Sequence, residues 1–396
     1  MKRVNHLYEK LISDENLELA IHEVNSTHRW YPHHRPNKTV MWVEKDIPAR
    51  IVELRDITNG LIDGSMKLKE PKKRHRWDKS ACKWRDINEP ALWPDQYVHH
   101  ALIQVLQPVM MRGMDRFCCG SIRDRGIHYG MKAIKKWMKE DKHGTKYCME
   151  LDIHHFYDSV DPKFVIQRMK CLVKDYRVLR LIEAVTEHGV LIGVYCSQWF
   201  ANTILQPLDH MIRENGNGVT HYMRYMDNFT IFSSNKRNLH KLLDNIQSWL
   251  NEIGLDIKDN WQIYRTDFTP KVKKAHEHLP EEKKRFRRPR IPTALGYRYG
   301  HGYTLLKKRN LLRLKRSLSK YYRKKKKRKK ISRRLAAGLL SRIGQLSHCN
   351  RVNIYKNIYH GKVQRDLKNV VRQYARKERS LWNTFSEETI SAETKP

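Results

Sequence analysis

The sequence is short of acid. Its 396 residues carry 79 Lys+Arg against 42 Asp+Glu, a formal net charge of +37. So unbalanced a chain fits an acidic or neutral metabolic enzyme poorly. It fits a polyanionic partner, nucleic acid first and an anionic membrane surface second. No apolar run reaches the roughly 18 residues of a membrane span, so none is expected. Met1 to Lys10 has no apolar stretch of the secretory type, so no signal peptide is expected. Cysteine is sparse: Cys82, Cys118, Cys119, Cys148, Cys171, Cys196 and Cys349 make seven, with no CxxC pair. Reduced cytoplasmic thiols are the expectation, and a zinc ribbon is not. A GxxxxGK[ST] loop and an HExxH helix are both missing, and His276-Glu277-His278 is too close-set to replace the latter. What remains is a chain 40% apolar and 10% aromatic, enough for two or three domains' worth of core.

Along the chain, Asn5 to Val24 reads as a helix, followed by a polar stretch rich in His and Pro. Met66 to Lys79 is a dense basic run, either a solvated loop or a phosphate-facing finger. Gln96 to Met111 has Val98, Leu102, Val105, Leu106 and Val109 at helical spacing. Tyr147 to Ile153 reads as a short strand ending in an acid. Pro162 to Leu172, Arg177 to Thr186, Ser197 to Arg213 and Asn238 to Ile253 read as helices. His221 to Phe232 reads as a hairpin turning at Asp227-Asn228, two residue types that tolerate positive φ. Residues 266–292 are a charged insertion, and 295–306 return to strand character. From Arg309 the chain is helical and very basic, with a polar tail from Ser386 expected to fray. Four regions are expected: 1–75, an extension and the start of a first domain; 76–265, the core; 266–308, a basic junction; and 309–396, a basic helical region.

Two acids stand out by context. Asp152 ends a strand and Asp227 sits at a hairpin tip. Taken singly, each is an ordinary cap or turn residue. Together, at adjacent strand ends in a basic protein, they make a site for hard divalent cations, since Mg²⁺ takes carboxylate oxygens together with substrate phosphates. The paired His33-His34, His99-His100 and His154-His155 are not read as ligands, because adjacent side chains point apart.

The surrounding motifs are more specific than the acids. LDIHHFYDSV (151–160) resembles the first carboxylate motif of reverse transcriptases, and HYMRYMDNFTIFSS (221–234) resembles their Y-x-D-D hairpin. IGVYCSQWFANTILQPLDHMI (192–212) resembles the motif between them. GLDIKDNWQIY (254–264) and TALGYRYG (293–300) resemble the two segments that follow. RDINEPALWPDQYVHHALIQVLQPVM (85–110) and SIRDRGIHYG (121–130) resemble the finger motifs of bacterial, group II intron-like enzymes. The ordered set covers about residues 75–360. Most bacterial relatives carry Q-G-x-x-x-S-P at the middle motif. Here Ile192-Gly193-Val194-Tyr195-Cys196-Ser197-Gln198 is similar to the reverse transcriptases of diversity-generating retroelements.

That resemblance implies an α+β right-hand polymerase with fingers, an antiparallel palm packed on helices, and a helical thumb. It implies RNA-directed DNA synthesis by two-metal nucleotidyl transfer, copying a template-repeat RNA into cDNA with errors directed to adenine. Asp152 and Asp227 would hold two Mg²⁺ ions, for which Mn²⁺ can substitute, with the Ile153 carbonyl and Asn228 beside them. Asn228 departs from the family, which usually has a second Asp there; a weakened polymerase is the alternative that this raises. Lys258 matches the lysine that protonates pyrophosphate, though alone it is a solvated strand lysine. Tyr157 matches the steric gate against 2′-hydroxyls; its plainer role is a core aromatic. Arg85, with Lys79 or Lys83, would meet the incoming triphosphate. Ile192, Gly193, Ser197 and Gln198 would lie along the nascent pair, with Ser197 as a helix cap the simpler alternative. Arg123 and Arg125 would face template or nucleotide, and surface charge is the competing role. Lys324, Lys325, Lys326, Lys327, Arg328, Lys329 and Lys330 would bind phosphates on the thumb, against a nuclear localisation signal. The partners implied are an RNA template, a DNA or RNA primer, dNTPs and a small basic oligomeric accessory protein, in a bacterial or phage-encoded cytoplasmic enzyme without a membrane. A defence-type or intron-derived reverse transcriptase, or a catalytically weak RNA-binding relative, is the alternative.

Overall fold

The computed structural model describes residues 2–31, 35–78, 83–214, 218–266, 277–278, 280, 289–350 and 362–392. Its strands are β1 Trp30–Tyr31, β2 Arg35–Pro36, β3 Lys72–Asp78, β4 Lys83–Glu89, β5 Tyr147–Asp152, β6 Val219–Tyr225, β7 Asn228–Ser233, β8 Gln262–Arg265, β9 Thr293–Ala294, β10 Tyr297–Gly300 and β11 Tyr303–Leu306. They form the pair β1-β2, the pair β3-β4, the four-stranded sheet β6-β7-β5-β8 and the three-stranded sheet β11-β10-β9. Antiparallel pairs set among helices make this a mixed α+β fold, as expected from the sequence.

The chain divides into two compact units, each assembled from three stretches of sequence: 1–126, 150–229 and 237–261 in the first, and 127–149, 230–236 and 262–396 in the second. The first unit is organised by the helix Tyr97–Met111, which packs against the helices Asp14–His28 and Tyr195–Ile204. Its Val98, Leu102, Leu106 and Val109 are buried, as their spacing requires. His99 and His100 are drawn into this core by different neighbours. His99 is buried with both ring nitrogens unpartnered, and burial pushes its pKa down to about 3. His100 stacks on Tyr195 at 3.8 Å and 7°. In the second unit the sheet β9–β11 packs on the helix Ile127–Glu140. The helices Lys308–Lys326, Arg333–Gly344 and Lys362–Ala392 pack in sequence, burying Leu314, Leu318, Ala336, Leu339, Ile343 and Leu367.

Several local expectations are corrected. The helix expected over 5–24 is two helices, Tyr8–Leu11 and Asp14–His28, because the Ser13 side chain caps Asn16 N and restarts the helix. The helix expected over 197–213 breaks at Leu205 into Tyr195–Ile204 and Gln206–Glu214. Pro207 has no N–H to continue the first segment and is well placed in the first turn of the second. The first half of the basic run 66–79 is a largely exposed loop, as one of the two alternatives had it. Its second half is β3, paired in register with β4 from Lys72↔Glu89 to Asp78↔Lys83. The tail expected to fray stays helical to Ala392.

Candidate active site

The site grows out of the sheet. β5 ends at Asp152, and β6 and β7 form the hairpin that carries Asp227. The hairpin turns at Met226-Asp227, one residue earlier than expected, and the residue with positive φ is Met226 at 56°. A non-glycine residue there costs on the order of 1 kcal/mol and persists only where its surroundings fix it. The surroundings are a buried polar cluster. Arg224 and Asp209 are both fully buried, and the guanidinium holds the carboxylate in two bonds, Nε–Oδ1 at 2.7 Å and Nη2–Oδ2 at 2.6 Å. Arg224 Nη1 donates to Asn202 Oδ1 at 2.9 Å and to the Met226 carbonyl at 3.0 Å. The Tyr222 hydroxyl donates to the same Asp209. Burial opposes the charge on Arg224, and the Asp209 carboxylate, with Cys118 and Tyr222, outweighs it and holds the guanidinium charged. Gly120 completes the seat: a Cβ there would meet the backbone nitrogen of Met226 at 2.7 Å. The 117–119 segment pairs along β6, with Cys119 N donating to Arg224 O at 2.8 Å.

Asp227 is thereby set beside Asp152. Ile153 N donates to the Asp227 carbonyl at 3.2 Å, and Ile153 bridges Ile257 on the other side. Burial, and then the like charge of Asp227, push the Asp152 carboxyl up to about 6. Asp152 Oδ1 is buried and accepts no hydrogen bond. Its Oδ2 faces Lys258 Nζ at 3.6 Å, and Lys258 N donates to the Asp152 carbonyl at 2.9 Å. Asn228 Nδ2 donates to Asp227 Oδ1 at 3.0 Å. The Tyr157 phenol is raised in pKa by burial and raised further by the charge of Asp227.

A carboxylate pair with one orphaned buried oxygen fits a divalent cation by the chemistry of its donors. No cluster of three or more His, Cys, Asp or Glu suited to a metal occurs among the described residues. Two carboxylates are what Mg²⁺ requires when substrate phosphates supply further oxygens.

The other residues singled out in the sequence divide. Ile192 and Gly193 meet the base of β4: Asn88 N donates to the Ile192 carbonyl at 2.8 Å. Gly193 has φ 105°, and a Cβ there would collide with the Asn88 carbonyl oxygen and with Ile87 Cγ2 at 2.7 Å, so no other residue fits this approach. Ser197 is buried inside the helix, whose N-cap is Val194, so the capping alternative is set aside. Gln198 is exposed on that helix. Arg85 pairs with Asp78 at 2.8 Å within the β3–β4 hairpin. Arg125 braces its own loop through the Asp115 carbonyl at 3.2 Å, while Arg123 is exposed. Lys79 lies outside the described residues. Lys324, Lys325 and Lys326 end a helix, and Lys327 to Lys330 follow it, all exposed except the half-buried Lys324. Lys325 pairs with Asp366 at 2.9 Å.

Sequence reasoning missed Arg224, Asp209 and Asn202. The available signal was an arginine flanked at two-residue spacing by apolar strand positions, and an acid beside Leu208 on an otherwise apolar helix stripe.

The sheet thus offers two neighbouring carboxylates with a lysine at one of them, in a chain whose charge suits a polyanionic partner. Residues 78–263 match the family model described as reverse transcriptase (RNA-dependent DNA polymerase). Over these residues, just under half of the chain, the sequence is similar to reverse transcriptases. Among solved structures it is similar to apo telomerase from Candida Tropicalis truncated from its C-terminal domain, at 13% identity and TM-score 0.41, over 61% of this chain and 57% of that one. It is also similar to apo telomerase from Candida Tropicalis, at 12% identity and TM-score 0.38, over 50% of this chain and 44% of that one. The chain thus spans little more than half of the first and under half of the second. No curated protein matches. No described helix is long and apolar enough to cross a membrane.

Proposed function

We propose that this enzyme is the reverse transcriptase of a diversity-generating retroelement, copying a template-repeat RNA into cDNA with errors concentrated opposite adenine. The observation that carries the catalytic half is Asp152 beside Asp227, with an orphaned buried oxygen and a raised carboxyl pKa. The retroelement subtype rests on the Ile192-Gly193-Val194-Tyr195-Cys196-Ser197-Gln198 motif.

In this reading Asp152 and Asp227 hold two Mg²⁺ ions, with the Ile153 carbonyl beside them. The metals supply positive charge for the attacking 3′-hydroxyl and the leaving pyrophosphate. Asn228 adds no charge; its amide orients the Asp227 oxygen that accepts from it. Lys258, held at Asp152 by its backbone, is the proton donor to the leaving pyrophosphate. Tyr157 crowds the 2′-position of the nucleotide and favours dNTPs. Arg85 and Lys79 belong to the hairpin that meets the triphosphate, and Arg85 exchanges Asp78 for it. Residues 76–265 are fingers and palm, and the basic helices from 309 are a thumb whose run from Lys324 to Lys330 binds the template–primer backbone. A small basic oligomeric protein is the accessory partner.

Primer extension on poly(rA)/oligo(dT) with Mg²⁺ or Mn²⁺ tests the polymerase, and sequencing of cDNA from a defined RNA tests the subtype. Ile192→Gln offers a polar amide near the nascent pair and should lower misincorporation opposite adenine. Equal wild-type error rates opposite all four bases refute the subtype. Undiminished synthesis in a folded Asn228→Asp variant refutes the orienting role given to Asn228, since the variant lacks the donating amide.

A further inference from the structure

The β3–β4 hairpin is braced from within and anchored at its base. The side-chain pairs Arg74–Glu89, Arg76–Glu89, His75–Asp86 and Arg85–Asp78 run from one strand to the other. A two-stranded sheet alone is marginal in water, so where this one stands depends on what its base is fixed to. Exposure falls along β4, from the exposed Lys83 and Trp84 to Asn88, which is 6% exposed. At Asn88 the strand meets the Ile192 carbonyl twice. The backbone N–H donates to that oxygen at 2.8 Å and the side-chain Nδ2 at 3.4 Å. The amide comes at a cost to the fold. Its Oδ1 is buried and accepts no hydrogen bond, and a desolvated acceptor without a donor is unfavourable. The carbonyl that Nδ2 serves already has the backbone N–H of Asn88. An apolar side chain of the same shape would therefore leave that carbonyl paired and remove the orphaned acceptor. A polar group kept where the fold gains little from it points to a use other than stability.

We propose that Asn88 is a positioning residue for nucleotide selection: its side-chain amide locks the Ile192 loop to the strand that carries Arg85, so that triphosphate binding and the fit of the nascent pair are coupled. This rests on the reading of Arg85 at the triphosphate and of Ile192-Gly193 beside the nascent pair. Asn88 follows Arg85 on β4 by about 10 Å of strand. One hydrogen bond from the backbone leaves the loop free to turn about it. A second donor to the same oxygen fixes the direction of the carbonyl, and with it the place of Ile192. When Arg85 leaves Asp78 for the triphosphate, the strand and the loop move together. A correct pair then meets a loop already set for it, whereas a mispair has to displace that loop. Without the amide the loop yields, and the correct nucleotide loses more than the wrong one.

The test is steady-state incorporation of single matched and mismatched nucleotides by the full chain on a primed RNA. Wild type is compared with Asn88→Leu, Asn88→Asp, Ile192→Gln and the double variant Asn88→Leu/Ile192→Gln. Asn88→Leu should melt no lower than wild type. It should keep kcat within about 2-fold and raise KM for the matched nucleotide by about 2–10-fold, the worth of one hydrogen bond, with selectivity falling by a similar factor. Asn88→Asp keeps the shape and loses the donor, so it should raise KM at least as much. Ile192→Gln should raise selectivity opposite template adenine in the wild-type background and lose most of that gain beside Asn88→Leu, because an unlocked loop cannot place the new amide. Wild-type KM and selectivity in both Asn88 variants overturn the proposal. So does a lower melting temperature and kcat with KM unchanged, the mark of a residue that only holds the fold. An equal Ile192→Gln gain in both backgrounds overturns it as well, since the two positions then act apart. Should Asn88→Leu not fold, Asn88→Asp decides by the same KM and selectivity criteria. A wild type that makes no cDNA with Mg²⁺ or Mn²⁺ sinks the polymerase reading and the proposal with it; an active wild type indifferent to Asn88 sinks the proposal alone.

Discussion

Two hairpins in this chain share a backbone pattern and little else. In β6–β7 nearly every residue from Tyr222 to Ser233 outside the turn is buried or half-buried, and a fully buried arginine reaches the turn from inside. In β3–β4 the side chains are mostly exposed, and the ion pairs Arg74–Glu89 and Arg76–Glu89 sit in solvent. The first must hold a carboxylate against a like charge, which needs a rigid, desolvated support. The second turns two tryptophans out on one face and most of its cations on the other, where the placement of any one atom matters less. The same electrostatics thus yields a fixed position in one hairpin and a general attraction in the other.

The largest test of this contrast is removal of the carboxylates. Asp152→Ala and Asp227→Ala should each lower polymerisation by about 10³-fold or more, equivalent to roughly 4 kcal/mol of barrier. RNA affinity should stay near wild type in a filter-binding titration. Near-normal extension by either variant would show that the rigid hairpin holds nothing essential.

Next is Arg224→Met. It leaves Asp209 buried without its partner, and breaking a buried pair costs about 3–5 kcal/mol. Urea unfolding should register that destabilisation, and Arg224→Met combined with Asp209→Leu should recover much of it. A single variant as stable as wild type would mean that the support is dispensable.

A smaller effect follows from Asp152 itself. Below about pH 3.8 its carboxyl is protonated in folded and unfolded chains alike; between there and about pH 6 the unfolded chain ionises first. The metal-free fold therefore loses stability as pH rises through that window and levels off above it. Asp152→Asn removes the dependence, so at pH 7 in EDTA the inactive variant should be more stable by on the order of 1–3 kcal/mol. The gap should close toward pH 3.8 in thermal melts. A gap that stays constant with pH would assign the effect to something other than carboxyl ionisation.

The smallest effect belongs to the outer hairpin. Arg74→Ala with Arg76→Ala should cost under about 1 kcal/mol of stability, since both pairs are exposed. The log–log salt slope of RNA binding should fall by roughly 0.7–0.9 for each phosphate no longer neutralised. A large drop in stability with an unchanged slope would reverse the roles given to the two hairpins.

Much of the site was legible because its chemistry sits in short motifs. Asp152, Asp227 and Tyr157 fall where strand and turn patterns converge. The support was not legible, because it is assembled across distance. Arg224 meets Asp209 and Asn202 from another element, and each looks ordinary in its own segment. The β3 strand was hidden for another reason. Its alternation is carried by cations on a surface exposed on both sides, so burial never imposed a period-two apolar signal. Helix breaks at Ser13 and Leu205 depend on a side-chain cap and on the missing N–H of Pro207, both of which a broad apolar stripe conceals.

The pairing around Asp152 also sets a timetable for biosynthesis. His154 N bonds to the Asp256 carbonyl and Lys258 N to the Asp152 carbonyl, so partners more than a hundred residues apart must meet. At about 5–20 residues per second, a ribosome leaves the Asp152 strand waiting for several seconds before Lys258 exists. Through that interval the edge later taken by Ile257 is an open strand edge bearing an unneutralised acid. That acid discourages pairing with other nascent chains, so Asp152 also protects the polypeptide while it is being made.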